Sequence, residues 1–395
     1  MDLRPNGAAS CAAVRIEVNR YDARRRGTTL ALTVPKPAAD TELYPLTALR
    51  GIAALWVLVY HLRHLLEDFF PQAWPVVKRV SLSGTYGVDL FFVLSGFVIA
   101  LTSRDRVTTL SGYRDFLIRR LGRIYPAYVV AHLAVALFFA WRVAVGYPPV
   151  RRCATDALSF LTHVLMIQSW TFPIQRAWNL VDWSVSGEWL VYLLFPVYAW
   201  VSRRRFGWFV ALVGAALFAW ALAHVGKSSP MELGLPRVLY GFGMGVVVER
   251  LYAWRNTPGP WWGGLSLGLL ALSSVLASQT RAPVEAISWA PLLFAGVVYG
   301  LARSSWGVPQ PLVWLGQISY ALYLSHSLTL NLFEEVFATP AADGPMVWRV
   351  AFVAGQIAVA LVGGHLLFAF VERPSRPRVI EWLRRRLPQV GRSST

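Results

Sequence analysis

Apolar residues in this chain come in long blocks, separated by short polar stretches rich in arginine. A helix needs roughly 17–25 consecutive apolar residues to cross a bilayer. Ten blocks meet that length, at about 45–64, 84–103, 124–145, 184–201, 206–224, 235–252, 261–278, 284–302, 312–333 and 348–370. The pattern predicts an all-α, polytopic membrane bundle of about ten transmembrane helices. An eleventh apolar stretch, 157–170 (ALSFLTHVLMIQSW), reaches only about 21 Å as a helix, against a hydrocarbon core of about 30 Å.

The arginines decide how that stretch is read, because basic residues collect on the cytoplasmic side of short loops. Arg104, Arg106, Arg114, Arg119, Arg120 and Arg123 cluster before the third block, Arg203, Arg204 and Arg205 after the fourth, and Arg373, Arg376, Arg378 and Arg384, Arg385, Arg386 after the last. With the arginine-rich N-terminal tail inside, all of these face the cytoplasm only if 157–170 does not span. The expected topology therefore has both termini in the cytoplasm and 157–170 re-entrant or lying on the outer surface. The expected divisions are a disordered cytoplasmic tail at 1–40, a transmembrane domain at 41–372 and a basic cytoplasmic tail at 373–395. The last of these can rest on an anionic leaflet.

Composition agrees and removes one partner class. Of the 395 residues, 55% are hydrophobic and 15% charged, where soluble domains carry about 25% charged residues. The formal net charge of +17 would suit a nucleic-acid binder. Its placement at the ends of apolar blocks points instead to the lipid bilayer as partner, with no nucleic acid expected. Cys11 and Cys153 are expected on opposite sides of the membrane, and no metal-ligand spacing is present. The loops leave no room for a soluble catalytic module, so chemistry is expected among the helices of a multi-pass protein in the cytoplasmic membrane.

Ionisable residues inside a membrane are costly and are functional candidates by default. Arg50 and His61 stand 11 residues apart in the first block, about three turns and 16 Å, so they share a face. Arg50 lies toward the cytoplasm and suits a phosphate-bearing donor. His61 lies in the outer half and suits proton transfer. Snorkelling of Arg50 and a satisfied core histidine at 61 are the plainer alternatives. Asp89 lies just inside the second block, and a histidine of a neighbouring helix at its level is its expected partner. Glu188, below Ser184 and Ser186, is the acid of the fourth block, and Tyr320, Tyr323 and His326 follow in the ninth. His61, Asp89, Glu188 and His326 are thus expected in one layer as an acid–base site. Arg50, Arg119, Arg120 and Arg123 are expected in another as an anion entrance.

LTALRGIAALWVLVYH (46–61), GVDLFFVLSGFVI (87–99), RRLGRIYPAY (119–128), WSVSGEWLVYLLFP (183–196) and LGQISYALYLSH (315–326) together resemble acyltransferase family 3, over about 45–371 and in the same order. These are integral-membrane O-acyltransferases of polysaccharides, lipid-linked sugars and some antibiotics. The resemblance implies acyl-CoA as the cytoplasmic donor, acetyl by default, and no bound cofactor or metal. It implies a hydroxyl of a carbohydrate, lipid-linked sugar or macrolide-like small molecule as acceptor. It makes His61 the residue required for transfer, with Arg50 and Arg119–Arg123 serving the donor's phosphates; by analogy with other carboxylate–histidine pairs, Asp89 or Glu188 is expected to orient the imidazole. Ser184, Ser186, Tyr320, Tyr323 and His326 are expected around the substrate. One departure is visible: relatives often carry two adjacent acids in the fourth-span motif, and here Trp189 follows Glu188. A transporter or flippase of an envelope glycan precursor would also use glycine-rich helices with polar residues at several depths. No inverted repeat is visible to favour it.

Overall fold

The computed structural model describes residues 43–147, 156–170, 178–204, 234–254, 258–279 and 283–387, excepting the side chains of 277–279 and 283–288. The expected first span is a bent pair, α1 (Tyr44–His61) and α2 (Arg63–Phe69), which meet at 56°. Then come α3 (Trp74–Ser83), α4 (Gly87–Ser103), α5 (Leu110–Ala144), α6 (Ala157–Val164), α7 (Trp183–Arg203) and α8 (Gly234–Trp254). The series closes with α9 (Trp261–Gln279), α10 (Pro283–Arg303), α11 (Gln310–Val336), α12 (Met346–Leu367) and α13 (Arg373–Arg386). Among the described residues there is no strand, as the all-α expectation requires.

The count of spans is less direct. Three helical runs are long and apolar enough to cross a membrane, Trp74–Ser103, Leu110–Ala144 and Met346–Arg386, and the bent pair makes a fourth. α7, α8 and α11 have spanning length but carry the polar residues that turn inward. Trp261–Leu276 and Trp289–Arg303 are shorter apolar helices. The expected span at 206–224 lies outside the described residues, as do the 1–40 tail, Cys11 and Cys153.

Helix boundaries differ from expectation in three informative places. α3 runs through a short tight turn at Gly84–Tyr86 into α4, so the second helix begins about three turns before its apolar block. α5 begins at Leu110 because Thr109 caps it, accepting from the Gly112 amide at 3.1 Å. Arg114, Arg119, Arg120 and Arg123 therefore stand on one continuous helix rather than in a loop. At the chain's other end a π turn at Phe368–Glu372 joins α12 to α13. Pro374 has no N–H to return to the carbonyl four residues back, so the turn before it opens.

The 157–170 segment forms an eight-residue helix, α6, capped by Asp156, and turns back at Met166, whose φ is 55°. At about 12 Å it is too short to span. It is fastened to the bundle: the Tyr128 hydroxyl donates to the His163 carbonyl (2.8 Å) and the Ser186 hydroxyl to the Met166 carbonyl (2.9 Å).

α4 is the hub, with Leu90, Val93 and Phe97 fully buried. It packs most extensively on α8, and two features explain how. Gly96 and Gly245 let the backbones touch: a Cβ on Gly96 would run into the Phe242 carbonyl, and one on Gly245 into that of Val93. Ion pairs close both ends. Arg237 Nε lies 3.0 Å from Asp89 Oδ1 and Nη2 2.6 Å from Oδ2, and both side chains are buried. Arg104 Nη1 meets Glu249 Oε2 at 2.6 Å. α1 and α11 are matched in the same way, with Gly316 against the Thr47 backbone.

Leaving one partner of a buried pair uncompensated costs about 3–5 kcal/mol. Arg237→Met and Asp89→Asn are each expected to destabilise by that order in equilibrium unfolding in mixed micelles. The double variant is expected to lose less than the sum of the two, which a double-mutant cycle measures.

Candidate active site

The close run of α11 beside α1 sets Tyr320, Tyr323 and His326 along the helix that carries Arg50 and His61. At the far end of α1 the two histidines meet. His326 Nε2 is 3.3 Å from His61 Nδ1, with ring centroids 4.8 Å apart. His326 Nδ1 lies 2.7 Å from the Tyr323 carbonyl, and His61 Nδ1 lies 2.9 Å from that of Val57. A carbonyl only accepts, so each Nδ1 carries the proton of its neutral ring. His326 Nε2 is then an acceptor for the His61 Nδ1–H, and the lone pair on His61 Nε2 has no partner among the described residues. The arrangement is a neutral base held by a second imidazole.

A cavity of about 410 Å³ opens between α1, α4, α5, α7 and α11. Arg50, Arg119, Arg120, Arg123 and Glu188 line it, as do Ser184, Tyr320 and Tyr323. It runs from Arg106 and Arg119 at one end to Ser184 and Tyr323 at the other, and the Tyr323 ring stands 5.8 Å from His326. The four arginines are not equivalent. Arg119 pairs with Asp115 one turn back, and Arg123 Nη1 lies 4.0 Å from Glu372 Oε1. Arg50 and Arg120 form no ion pair within 4 Å among the described residues. Arg120 lies instead over the rings of Phe116 (5.4 Å) and Tyr192 (5.9 Å), with its Nε unpartnered.

The expected carboxylate–histidine pair is not formed. Asp89 takes Arg237, not a histidine: a buried carboxylate is best satisfied by the two parallel N–H donors of a guanidinium. Glu188 belongs to the cavity's arginine layer. Its Oε1 accepts from Ser95 Oγ at 2.7 Å and from the Tyr192 hydroxyl. Neither acid touches His61. Ser186 points away from the cavity and holds the 166–169 turn, receiving the Ser169 amide at 3.2 Å. Ser184 and Tyr323 are joined at 2.8 Å, and the Tyr320 hydroxyl donates to the Ile124 carbonyl at 2.8 Å. Among the described residues no three side chains converge as metal ligands.

Arg237 and Tyr192 were not singled out by sequence. The first had a signal, a lone arginine in the apolar run LGLPRVLYGFGMG. The second had none, since a tyrosine one turn from Glu188 is common on a membrane helix.

The chain is 28% identical to acyltransferase MdmB of Streptomyces mycarofaciens over 374 residues, covering 86% of this chain and 92% of that one. It is 24% identical over 386 residues to SAR0937 of Staphylococcus aureus, provisionally named an O-acetyltransferase, covering 88% of this chain and 60% of that one. YrhL of Bacillus subtilis, provisionally named a peptidoglycan O-acetyltransferase, is 23% identical over 392 residues, with 87% of this chain and 56% of that one covered. The chain thus spans less than two thirds of the length of these last two relatives. No solved structure matches it. The acyltransferase-domain profile matches residues 43–365, and the chain belongs to acyltransferase family 3.

Proposed function

We propose that this enzyme moves an acyl group, acetyl by default, from cytoplasmic acyl-CoA to a hydroxyl of a carbohydrate, glycolipid or macrolide-like acceptor. The observation that carries this reading is one cavity that joins an arginine layer to Tyr323, whose ring stands 5.8 Å from His326, which in turn meets His61; the two histidines stand behind Tyr323 rather than in the cavity's lining. Arg50 and Arg120, without ion-pair partners, attract the donor's phosphates from the cytoplasmic side. The extended pantetheine arm then brings the thioester toward Tyr323 and the histidine pair. The name of the Bacillus subtilis relative, which specifies a glycan acceptor, supports a carbohydrate hydroxyl.

His61 Nε2 takes the proton of the acceptor hydroxyl as its oxygen adds to the thioester carbonyl. The tetrahedral intermediate expels the CoA thiolate, and His61 returns the proton to sulfur. The imidazolium formed between these steps keeps its Nδ1–H on the Val57 carbonyl and on His326 Nε2. His326 is a positioning residue on this reading, and it takes the role expected of Asp89 or Glu188. Glu188, tied to Ser95 and Tyr192, holds the middle of the donor path and offsets the positive charge around it.

In inverted membrane vesicles given acetyl-labelled acetyl-CoA, His61→Ala is expected to reduce label transfer by about 10²–10⁴-fold, the usual worth of general base catalysis, while unfolding as the native protein does. Full transfer by that variant would remove His61 from the chemistry. His326→Ala is expected to lower kcat about ten- to hundredfold, the worth of a hydrogen bond to a charged group, with the KM for acetyl-CoA unchanged. His326→Gln keeps an acceptor oxygen near the Nε2 position and is expected to recover most of the loss. Equal loss in both variants would mean that His326 acts only through packing.

A further inference from the structure

Behind the arginine layer lies a second cavity, of about 450 Å³. Four guanidinium groups line it, those of Arg50, Arg123, Arg373 and Arg376, with one carboxylate, Glu372. Arg50, Arg123 and Arg376 also line the first cavity, so the two spaces share a wall of positive charge. Arg373 and Arg376 come from α13, which packs along the first turns of α5. There Ile380 lies against Gly122, and Arg384 Nη2 meets Asp115 Oδ1 at 2.6 Å. The π turn aims Glu372 inward. Its side chain is buried, its Oε1 is 4.0 Å from Arg123, and its Oε2 has no hydrogen-bond partner among the described residues.

Four like charges around one space repel one another unless an anion sits among them. Arg373 and Arg376 stand at the exposed mouth, where water screens them, while Arg50 and Arg123 are half-buried and have one carboxylate, 4.0 Å from Arg123 with its second oxygen unpartnered, to offset them. The dimensions and charge fit a polyanion that takes planar, forked contacts from several arginines.

We propose that this second cavity seats an organic diphosphate, the pyrophosphate of a nucleotide-linked donor, with Arg376 of the C-terminal helix as its joint with the first cavity. Glu372 is the resident counter-ion that the diphosphate displaces. Glu372, Arg373 and Arg376 lie beyond the family match at 43–365. The inference rests on the acyl-CoA reading above and gives the C-terminal helix a part in it. An anionic lipid headgroup carries the same phosphate chemistry. The diphosphate is favoured because the cavity shares its arginines with the space that would hold the rest of the same donor.

The test is calorimetric titration of ADP and of CoA into the purified full chain in nanodiscs of zwitterionic lipid. Both are expected to bind. Arg376→Gln is expected to weaken both about tenfold, the loss of one charge-assisted contact, with unfolding unchanged. Arg376→Lys is expected to recover part of the loss, and Glu372→Gln to tighten binding. Absence of ADP binding, or affinity indifferent to Arg376→Gln, overturns the proposal. So does loss of ADP binding when phosphatidylglycerol is added to the nanodiscs, since the cavity would then hold a lipid headgroup. ADP binding without any CoA release in the vesicle assay would leave the diphosphate seat standing and remove the acyl-CoA reading. CoA release with a KM indifferent to Arg376→Gln would do the reverse.

Discussion

A charge inside an apolar bundle must find a partner, and the fold is organised by which charges do. Asp89 and Arg237 satisfy one another through two hydrogen bonds, and Arg104 and Glu249 do the same at the opposite end of the same two helices. Lipid tails are as apolar as leucine, so helix association gains little from hydrophobic burial alone. Close backbone contact and hydrogen bonds must supply the rest. The pairing of α4 and α8 uses both, with Gly96 and Gly245 between the two ion pairs. α1, α7 and α10 pack directly on this fixed pair. Arg50, Arg120 and Glu188, which form no ion pair within 4 Å among the described residues, gather instead along the wall of one cavity.

That division separates framework from site among residues that look alike in sequence. Arg237 and Arg50 are both arginines within apolar helices. The first has its fork filled and lies over the Trp183 ring at 5.2 Å, while the second faces an open space. The same contrast holds for the acids. Asp89 is closed off by a guanidinium, whereas Glu188 takes two hydroxyls, those of Ser95 and Tyr192, and keeps its place among the arginines. Rigid elements hold each of these positions, including α5, which carries three of the cavity's arginines on one unbroken helix.

The helical class and the order of the motifs were legible in the sequence, because block length and charge placement are local properties. Arg50 and His61 sharing a face follows from helix periodicity alone; Arg50 lines both cavities, and His61 meets His326 farther along the same helix. Neighbours across helices were not legible. Depth along a helix suggested that Asp89 and Glu188 lay level with His61, but depth says nothing about which face meets which helix. Ser186 lies outside the cavity for the same reason: two residues from Ser184, it stands on a different side of α7. The basic segment after 372 looked like any topology-setting tail. Only the π turn, a consequence of Pro374 that hydrophobic pattern does not report, carries Glu372 into the interior.

The two ends of the functional region differ in charge, and the difference matches what each end is proposed to handle. Guanidinium groups crowd one end, where an anionic donor would arrive. At the other end the polar groups nearest one another are Ser184, Tyr323, His326 and His61, joined by neutral hydrogen bonds. A carboxylate beside His61 would have placed a charge there and called for donors to satisfy it, as Asp89 takes Arg237 and the buried Asp182 takes Tyr128 and Gln168. A second imidazole accepts the Nδ1–H without adding charge. It orients the ring as a carboxylate would, and it leaves an environment suited to a sugar-like hydroxyl, which brings no charge of its own. Exchanging the acid for a histidine is thus the same constraint that built the α4–α8 hub, now met by leaving the charge out.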